Sequence, residues 1–287
     1  MGIFKNSMHQ KQFDENGFII LPLVSHETIL QLKKLHEEQF TENDNRTYAF
    51  NAESQSAKND YIASRLIELL SESFDKVLVD YINHGGTFFT KVKGYGELPL
   101  HQDTTVVEPG GGFYTWIPLQ DVTEQNGCMF IIEKSHRFFE NFVSFTYPNE
   151  SIPRDTILPQ YVTKIEMKAG EILFLNGRMF HGSFENNTNK HRVAVNVSIT
   201  KTDTRFVYYQ KKNEFTASEY YVTAESYRNS YKTYSTGALP AGAVFSRDIP
   251  YKHVSINHEL LNSKCIELLP HKNSLFYKLK QLVAWLY

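Results

Sequence analysis

Apolar residues recur at helical spacing near the start of the chain and again at its end. Ile29, Leu32 and Leu35 fall on one stripe, and Ser25 stands where a side chain caps a first turn. A second stripe of Ile62, Leu66, Leu69 and Leu70 predicts a helix over 61–81, which Gly85-Gly86 ends. From Thr87 the period shortens. Strand-like runs occupy 88–92, 112–118, 129–133, 161–167, 171–175 and 192–200. Glu108-Pro109-Gly110-Gly111-Gly112 and Asn186-Asn187-Thr188-Asn189 are turn signals between them. Many short strands at this spacing predict a sandwich or barrel, so the fold class expected is mainly β with flanking helices. Beyond residue 200 the alternation fades. Tyrosines crowd the tail at 208, 209, 220, 221, 227, 231 and 234. Asn273 or Ser274 is placed to cap a last helix with Leu275, Leu279, Leu282, Val283 and Leu286 on one face.

Composition narrows the classes of function. With 287 residues, 41% of them hydrophobic, the chain is long enough to bury a sizeable core. A formal charge of −2 without a basic run offers no electrostatic footprint for nucleic acid. Cys128 and Cys265 are the only two cysteines and lie far apart in sequence, which speaks against a disulfide framework. The first thirty residues have no signal-peptide core, and no apolar run approaches a membrane span. The expectation is a cytoplasmic protein acting on a small molecule, with no nucleic-acid or membrane partner, as a monomer or homodimer.

The candidate chemistry lies within the β-like region. His101-Gln102-Asp103 puts an imidazole and a carboxylate two residues apart, hence on one face of an extended strand. Two histidines and one carboxylate form the ligand face of a class of non-heme Fe(II) oxygenases, which leaves coordination positions open. The third ligand has to come from a distant strand. His181 is the best candidate, because it ends the apolar run that begins at Glu171. Arg192 opens the alternating strand Arg192-Val193-Ala194-Val195-Asn196-Val197-Ser198. A guanidinium held in a barrel wall calls for an anionic partner, and its planar fork suits a carboxylate.

These residues carry a family resemblance. The chain resembles the phytanoyl-CoA dioxygenase family of Fe(II)/2-oxoglutarate-dependent oxygenases over 10–200. The matching pieces are Phe13-Asp14-Glu15-Asn16-Gly17-Phe18, Leu100-His101-Gln102-Asp103, the block from Trp116 to Gly127-Cys128, Lys134-Ser135-His136-Arg137, and Gly170 to Gly182 continuing to Arg192. The resemblance implies a double-stranded β-helix, a jelly-roll or cupin-like barrel with its metal inside one mouth. It implies Fe(II) held by His101, Asp103 and His181, with 2-oxoglutarate and O₂ as co-substrates. Arg192 would take the distal carboxylate of 2-oxoglutarate. From the strand pattern itself, Ser198 shares the face of Arg192 and is placed to support the same carboxylate, and Trp116 reads either as packed near the co-substrate or as a core aromatic.

One domain is expected: helical support over 1–84, the β-helix core over 85–200, and a lid with a helix over 201–287. The implied reaction is hydroxylation, or desaturation or ring closure, at an unactivated C–H of a small organic metabolite of specialised metabolism, releasing succinate and CO₂. Three alternatives stand beside it. A halogenating relative is disfavoured by the intact Asp103. A cupin-type metalloenzyme would not need Arg192. A non-catalytic metal- or ligand-binding protein on the same fold is the reading from another class. His136 reads as a structural turn residue and His191 as pointing away from the interior; Lys91 and Lys93 share a face and read as solvated ahead of the alternative that either contacts the co-substrate or an acidic substrate.

Overall fold

The computed structural model describes residues 2–40, 57–147, 150–223, 226 and 236–273. Helix α1, Ser7–Asn16, starts on the Asn6 side chain, which accepts from the amides of Met8 and His9, and stops at Gly17 with φ 84°. Strand β1, Phe18–Pro22, follows at once. Helix α2, His26–Gln39, is capped by Ser25 and buries Ile29, Leu32 and Leu35, as the stripe requires. Helix α3, Ala57–Asp75, starts and ends earlier than its periodicity suggests and buries Ile62, Leu66, Leu70 and Phe74.

The strands then follow as β2 Tyr81–Lys91, β3 Leu98–His101, β4 Gly112–Pro118, β5 Met129–Ile132, β6 Val162–Ile165, β7 Glu171–Leu175, β8 His181–Ser183 and β9 Arg192–Lys201. They form two antiparallel sheets. The larger has the order β1-β7-β4-β9-β2 and the smaller β3-β8-β5-β6. Side-chain alternation divides the large sheet's residues between two cores. Phe88, Phe113, Ile117, Phe174, Val195 and Val197 face α1, α2 and α3. Trp116, Leu173, Leu175 and Ala194 face Leu100, Phe130 and Phe180 in the space between the sheets. The fold is the mainly β, cupin-like double-stranded β-helix that the resemblance implies.

Gly85 and Gly86 do not end a helix. They form an irregularity inside β2, where the register against β9 shifts between Asn83 and Gly86. Gly85 takes φ +72°, and a Cβ on Gly86 would meet the Asn196 carbonyl oxygen at 1.7 Å. Only glycine lets the two backbones approach so closely. β1 also changes the picture of the first 84 residues as helical support, because it is an edge strand of the barrel itself.

The tail is more regular than its sequence. Strands β10 Phe206–Lys211, β11 Thr216–Val222 and β12 Val244–Pro250 make a third antiparallel sheet. Helix α4, His258–Leu268, is capped by Asn257 and buries Leu261 and Cys265. Just beyond it, the buried Lys272 reaches Glu133 at 3.1 Å. The expected last helix, with Leu275 to Leu286, lies outside the described residues, as do Tyr227, Tyr231 and Tyr234. Both cysteines are buried free thiols. Among the described residues, no helix is long and apolar enough to cross a membrane.

Candidate metal centre

β3 and β8 pair so that His101 and His181 are direct cross-strand partners. The distant strand that must supply a third ligand is therefore the immediate neighbour of the first. The two imidazole centroids are 4.4 Å apart with a 48° tilt. Asp103, just past the end of β3, completes the group. Its carboxylate oxygens lie 3.9 Å from His101 Nε2 and 3.8 Å from His181 Nε2. One ligand atom from each residue falls within 4.8 Å of the others.

The orientation of both rings is fixed from behind. His101 Nδ1 lies 2.9 Å from the Pro99 carbonyl, and His181 Nδ1 lies 3.0 Å from the Met179 carbonyl. Each ring therefore donates through Nδ1 to the carbonyl two residues upstream and presents a bare Nε2 towards Asp103. This arrangement sets the tautomer of a metal-binding histidine. Burial, reinforced by His181 alongside, lowers the pKa of His101 in spite of Asp103, so the ring favours the neutral, ligand-competent form. Two imidazoles and a carboxylate with their ligand atoms gathered in this way fit a divalent iron.

Gln102, between the two ligands, turns the other way and is buried. It donates to the Arg178 carbonyl at 2.6 Å and accepts from Asn141 Nδ2 at 3.0 Å. Ser135 braces the other ligand strand: its hydroxyl accepts from the Phe180 amide at 2.8 Å. His136, in the same short turn, sits beside the Asp14 carbonyl at 3.2 Å, away from the ligand group. His191 accepts from the Lys93 amide at 3.2 Å.

The direction of the interior follows from Ser183. It lies two residues beyond His181, so both side chains point the same way. Ser183 Oγ accepts a 2.9 Å hydrogen bond from Lys91 Nζ, which crosses from β2 in the large sheet. Lys91 is paired in register with Arg192 on β9. The histidines thus face a wall whose deep end carries two cations, Lys91 at 4% exposure and Arg192 at 6%. Arg192 lies over the Trp116 ring, 5.1 Å from its centroid, and donates to the Phe89 carbonyl at 3.5 Å. Burial and the neighbouring Arg192 together push the pKa of Lys91 down to about 7.

Arg192 and Trp116 are brought together, but Ser198 is not. It shares their face but lies six residues along β9, roughly 20 Å from Arg192 at strand spacing, opposite Tyr114. A hydroxyl that far away cannot share one carboxylate with the Arg192 guanidinium. Lys91 and Ser183 occupy the place expected of it. Lys91 is buried, not solvated, because the strand register, invisible in the local pattern, sets it against Arg192. Ser183 could have been found from its two-residue spacing to His181.

Exposure rises away from the cations. The side chain of His181 is 10% exposed, that of His101 21% and that of Asp103 35%. On β9, Arg192 and Ala194 are buried while Asn196 and Ser198 are partly exposed. The interior is closed at the cationic end and open at the other.

A family model described as phytanoyl-CoA dioxygenase matches residues 13–194. A phytanoyl-CoA dioxygenase of Arabidopsis thaliana is 34% identical over 118 residues, 38% of this chain and 40% of that protein. A phytanoyl-CoA dioxygenase domain-containing protein of Mus musculus is 27% identical over 114 residues, 36% of this chain and 39% of its own. The matched stretch is well under half the length of these relatives. Among solved structures, HygX from Streptomyces hygroscopicus with nickel and 2-oxoglutarate bound superposes with TM-score 0.50 at 16% identity, over 69% of this chain and 88% of its own. The epimerase SnoN with Fe³⁺, alpha ketoglutarate and nogalamycin RO gives 0.52 at 14% identity, over 70% and 86%. Likeness at that identity is a likeness of fold.

Proposed function

The chain belongs to the phytanoyl-CoA dioxygenase family, and from that premise we propose that it is an Fe(II)/2-oxoglutarate-dependent oxygenase that hydroxylates an unactivated C–H bond of a small organic metabolite. One observation carries the reading: three ligand-competent side chains converge at the middle of an interior whose closed end is lined by Lys91 and Arg192.

In this reading His101, Asp103 and His181 hold Fe(II), which when bound supplies activation of O₂ coupled to the oxidative decarboxylation of 2-oxoglutarate to succinate and CO₂. The rest is the work of the chain. Arg192 and Lys91 receive the far carboxylate of 2-oxoglutarate, Arg192 as a fork and Lys91 as a point charge. Trp116 holds the guanidinium in place through its ring face. Ser183 keeps the Lys91 ammonium turned inwards. The co-substrate so held reaches from the closed end towards the ligands, and the metabolite enters from the open side. Asp103 retains a carboxylate where a halogenating centre would need room for a halide, which favours hydroxylation over halogenation.

The segment after Asp103 supports a cover over that side. The Glu108 amide donates to the Arg205 carbonyl at 3.1 Å, and the Val207 amide to the Val106 carbonyl at 3.0 Å. Phe206 packs edge-on against His84, with centroids 5.1 Å apart. The third sheet is thus attached directly to the loop that leaves the metal centre, and we assign 205–247 the role of lid.

The test is anaerobic addition of Fe(II) and 2-oxoglutarate to the purified protein. The expected result is a weak visible charge-transfer band, lost in His181→Ala with the fold intact. A protein that binds Fe(II) with equal affinity after that substitution, or that gives no band on adding 2-oxoglutarate, overturns the reading.

A further inference from the structure

Three polar side chains on the inner face of the large sheet are left without work by the fold. Thr87, Asn196 and Ser198 lie on the same face as Lys91, Phe89, Arg192 and Ala194, because successive inward positions alternate along a strand. Their side chains make no hydrogen bond among the described residues, although nearby interior polar groups such as Lys91 and Ser183 do. All three are partly exposed, unlike the outward-facing Phe88, Val195 and Val197 between them, which are buried against the helices.

Their placement is compact. Thr87 and Asn196 are cross-strand partners, as are Asn196 and Trp116, and Ser198 pairs with Tyr114 in the next row. Paired side chains of neighbouring strands stand roughly 5 Å apart, and successive inward positions on one strand roughly 7 Å apart. The trio therefore covers a patch the size of a single sugar-like ring, rimmed by the Trp116 and Tyr114 side chains. It lies on the open side of Arg192, beyond the reach of a 2-oxoglutarate carboxylate held there, and on the wall that faces the metal ligands.

We infer that Thr87, Asn196 and Ser198 bind the substrate to be oxidised, and that this substrate is a neutral, multiply hydroxylated small molecule rather than an acyl chain. The inference rests on the proposed function and names the substrate class of that same site. Two hydroxyls and a carboxamide offer donors and acceptors together and no charge. A ligand that satisfies all three must do the same, which alcohol groups around a ring do and a hydrocarbon chain does not. An apolar chain laid across this patch would strip water from three polar groups and return nothing. The partly exposed Tyr114 beside the trio suits the apolar C–H face of such a ring.

The experiment uses the full chain with Fe(II), 2-oxoglutarate and O₂. Two sets of probes are offered, methyl glycosides and cyclitols in one, straight and branched acyl thioesters in the other, and succinate formation is scored. The hydroxylated set should raise succinate formation above the substrate-free rate and the acyl set should not. For the best hydroxylated probe, Asn196→Ala and Ser198→Ala should each lower kcat/KM by roughly tenfold while the affinity for 2-oxoglutarate stays the same. Calorimetry on the metal-free protein gives a second readout, in which the same probe binds more weakly to Asn196→Ala. Stimulation by acyl thioesters alone, silence from both sets, or variants that move neither kcat/KM nor metal-free binding overturns the inference. The 2-oxoglutarate band separates the two readings: if it is present with an overturning pattern, only the substrate class falls; if it is absent, the proposed function falls and takes this inference with it.

Discussion

Lys91 and Arg192 sit side by side and buried, and burial together with the Arg192 charge makes Lys91 harder to charge. The consequence is a pH dependence with a definite sign. With its pKa down to about 7 before 2-oxoglutarate binds, Lys91 loses its proton as the pH rises through neutrality. A bound carboxylate favours the ammonium form, so binding takes up a proton above that pKa. The apparent affinity for 2-oxoglutarate should hold steady below about pH 7 and weaken above it by at most about tenfold per pH unit. Titration of the anaerobic absorption band at several pH values measures this, and Lys91→Met should flatten the profile. Arg192 behaves differently, since a guanidinium keeps its proton throughout. Arg192→Ala should weaken 2-oxoglutarate binding by on the order of 2–5 kcal/mol and leave iron stoichiometry unchanged. Arg192→Lys should recover little, because a point charge does not reproduce the fork or its stacking on Trp116. Equal 2-oxoglutarate affinity in wild type and Arg192→Ala would remove Arg192 from the site.

At the scale of elements, the pairing of β2 with β9 presents both cations, and its tightest point is Gly86. Any Cβ there meets the Asn196 carbonyl oxygen at 1.7 Å, and the obstacle is backbone rather than a movable side-chain tip. Gly86→Ala should therefore cost roughly 2–4 kcal/mol, read as a lowered denaturant midpoint at unchanged slope. Gly96→Ala is the control. A Cβ at that position meets nothing within 4 Å, and the change should stay within about 0.5 kcal/mol. Equal midpoints for the two variants would mean that the β2–β9 approach is not tight in solution. The same strands explain why the local pattern was legible in some places and silent in others. β4 and β7 have the bounds their sequence predicts, because each alternates or runs apolar between clear turn signals. β3 and β8, which carry the candidate histidine ligands, are four and three residues long. Nothing so short has a period to read. The glycine pair in β2 looks like a helix stop for a similar reason: a turn, a bulge and a close backbone approach all ask for the same residue.

At the scale of the whole molecule, the third sheet is the part most distant from its sequence expectation, and the lid role proposed for it is open to a direct test. If it is the lid proposed above, its attachment to 106–108 makes a ligand at the open end order the sheet and the metal-side loop together. Hydrogen exchange with a succinate-stimulating substrate bound should show added protection in β10 and β11 as well as around His101. Protection confined to the strands around His101 would make the sheet simple packing.

By itself the sequence pointed to the candidate ligand residues, to Arg192 as the proposed partner of a carboxylate, to the capped helix after Ser25 and to the mainly β class. Each of these depends on residue chemistry or on spacing within a few positions. The tertiary structure alone decided that His101 and His181 are cross-strand partners, that Lys91 is an interior cation, that Ser183 and not Ser198 lies beside it, and that the tail pairs into a sheet. Those outcomes depend on the register between strands far apart in the chain. A one-residue shift in register exchanges the inner face of a strand for the outer one, and only the packing of the whole core selects between them.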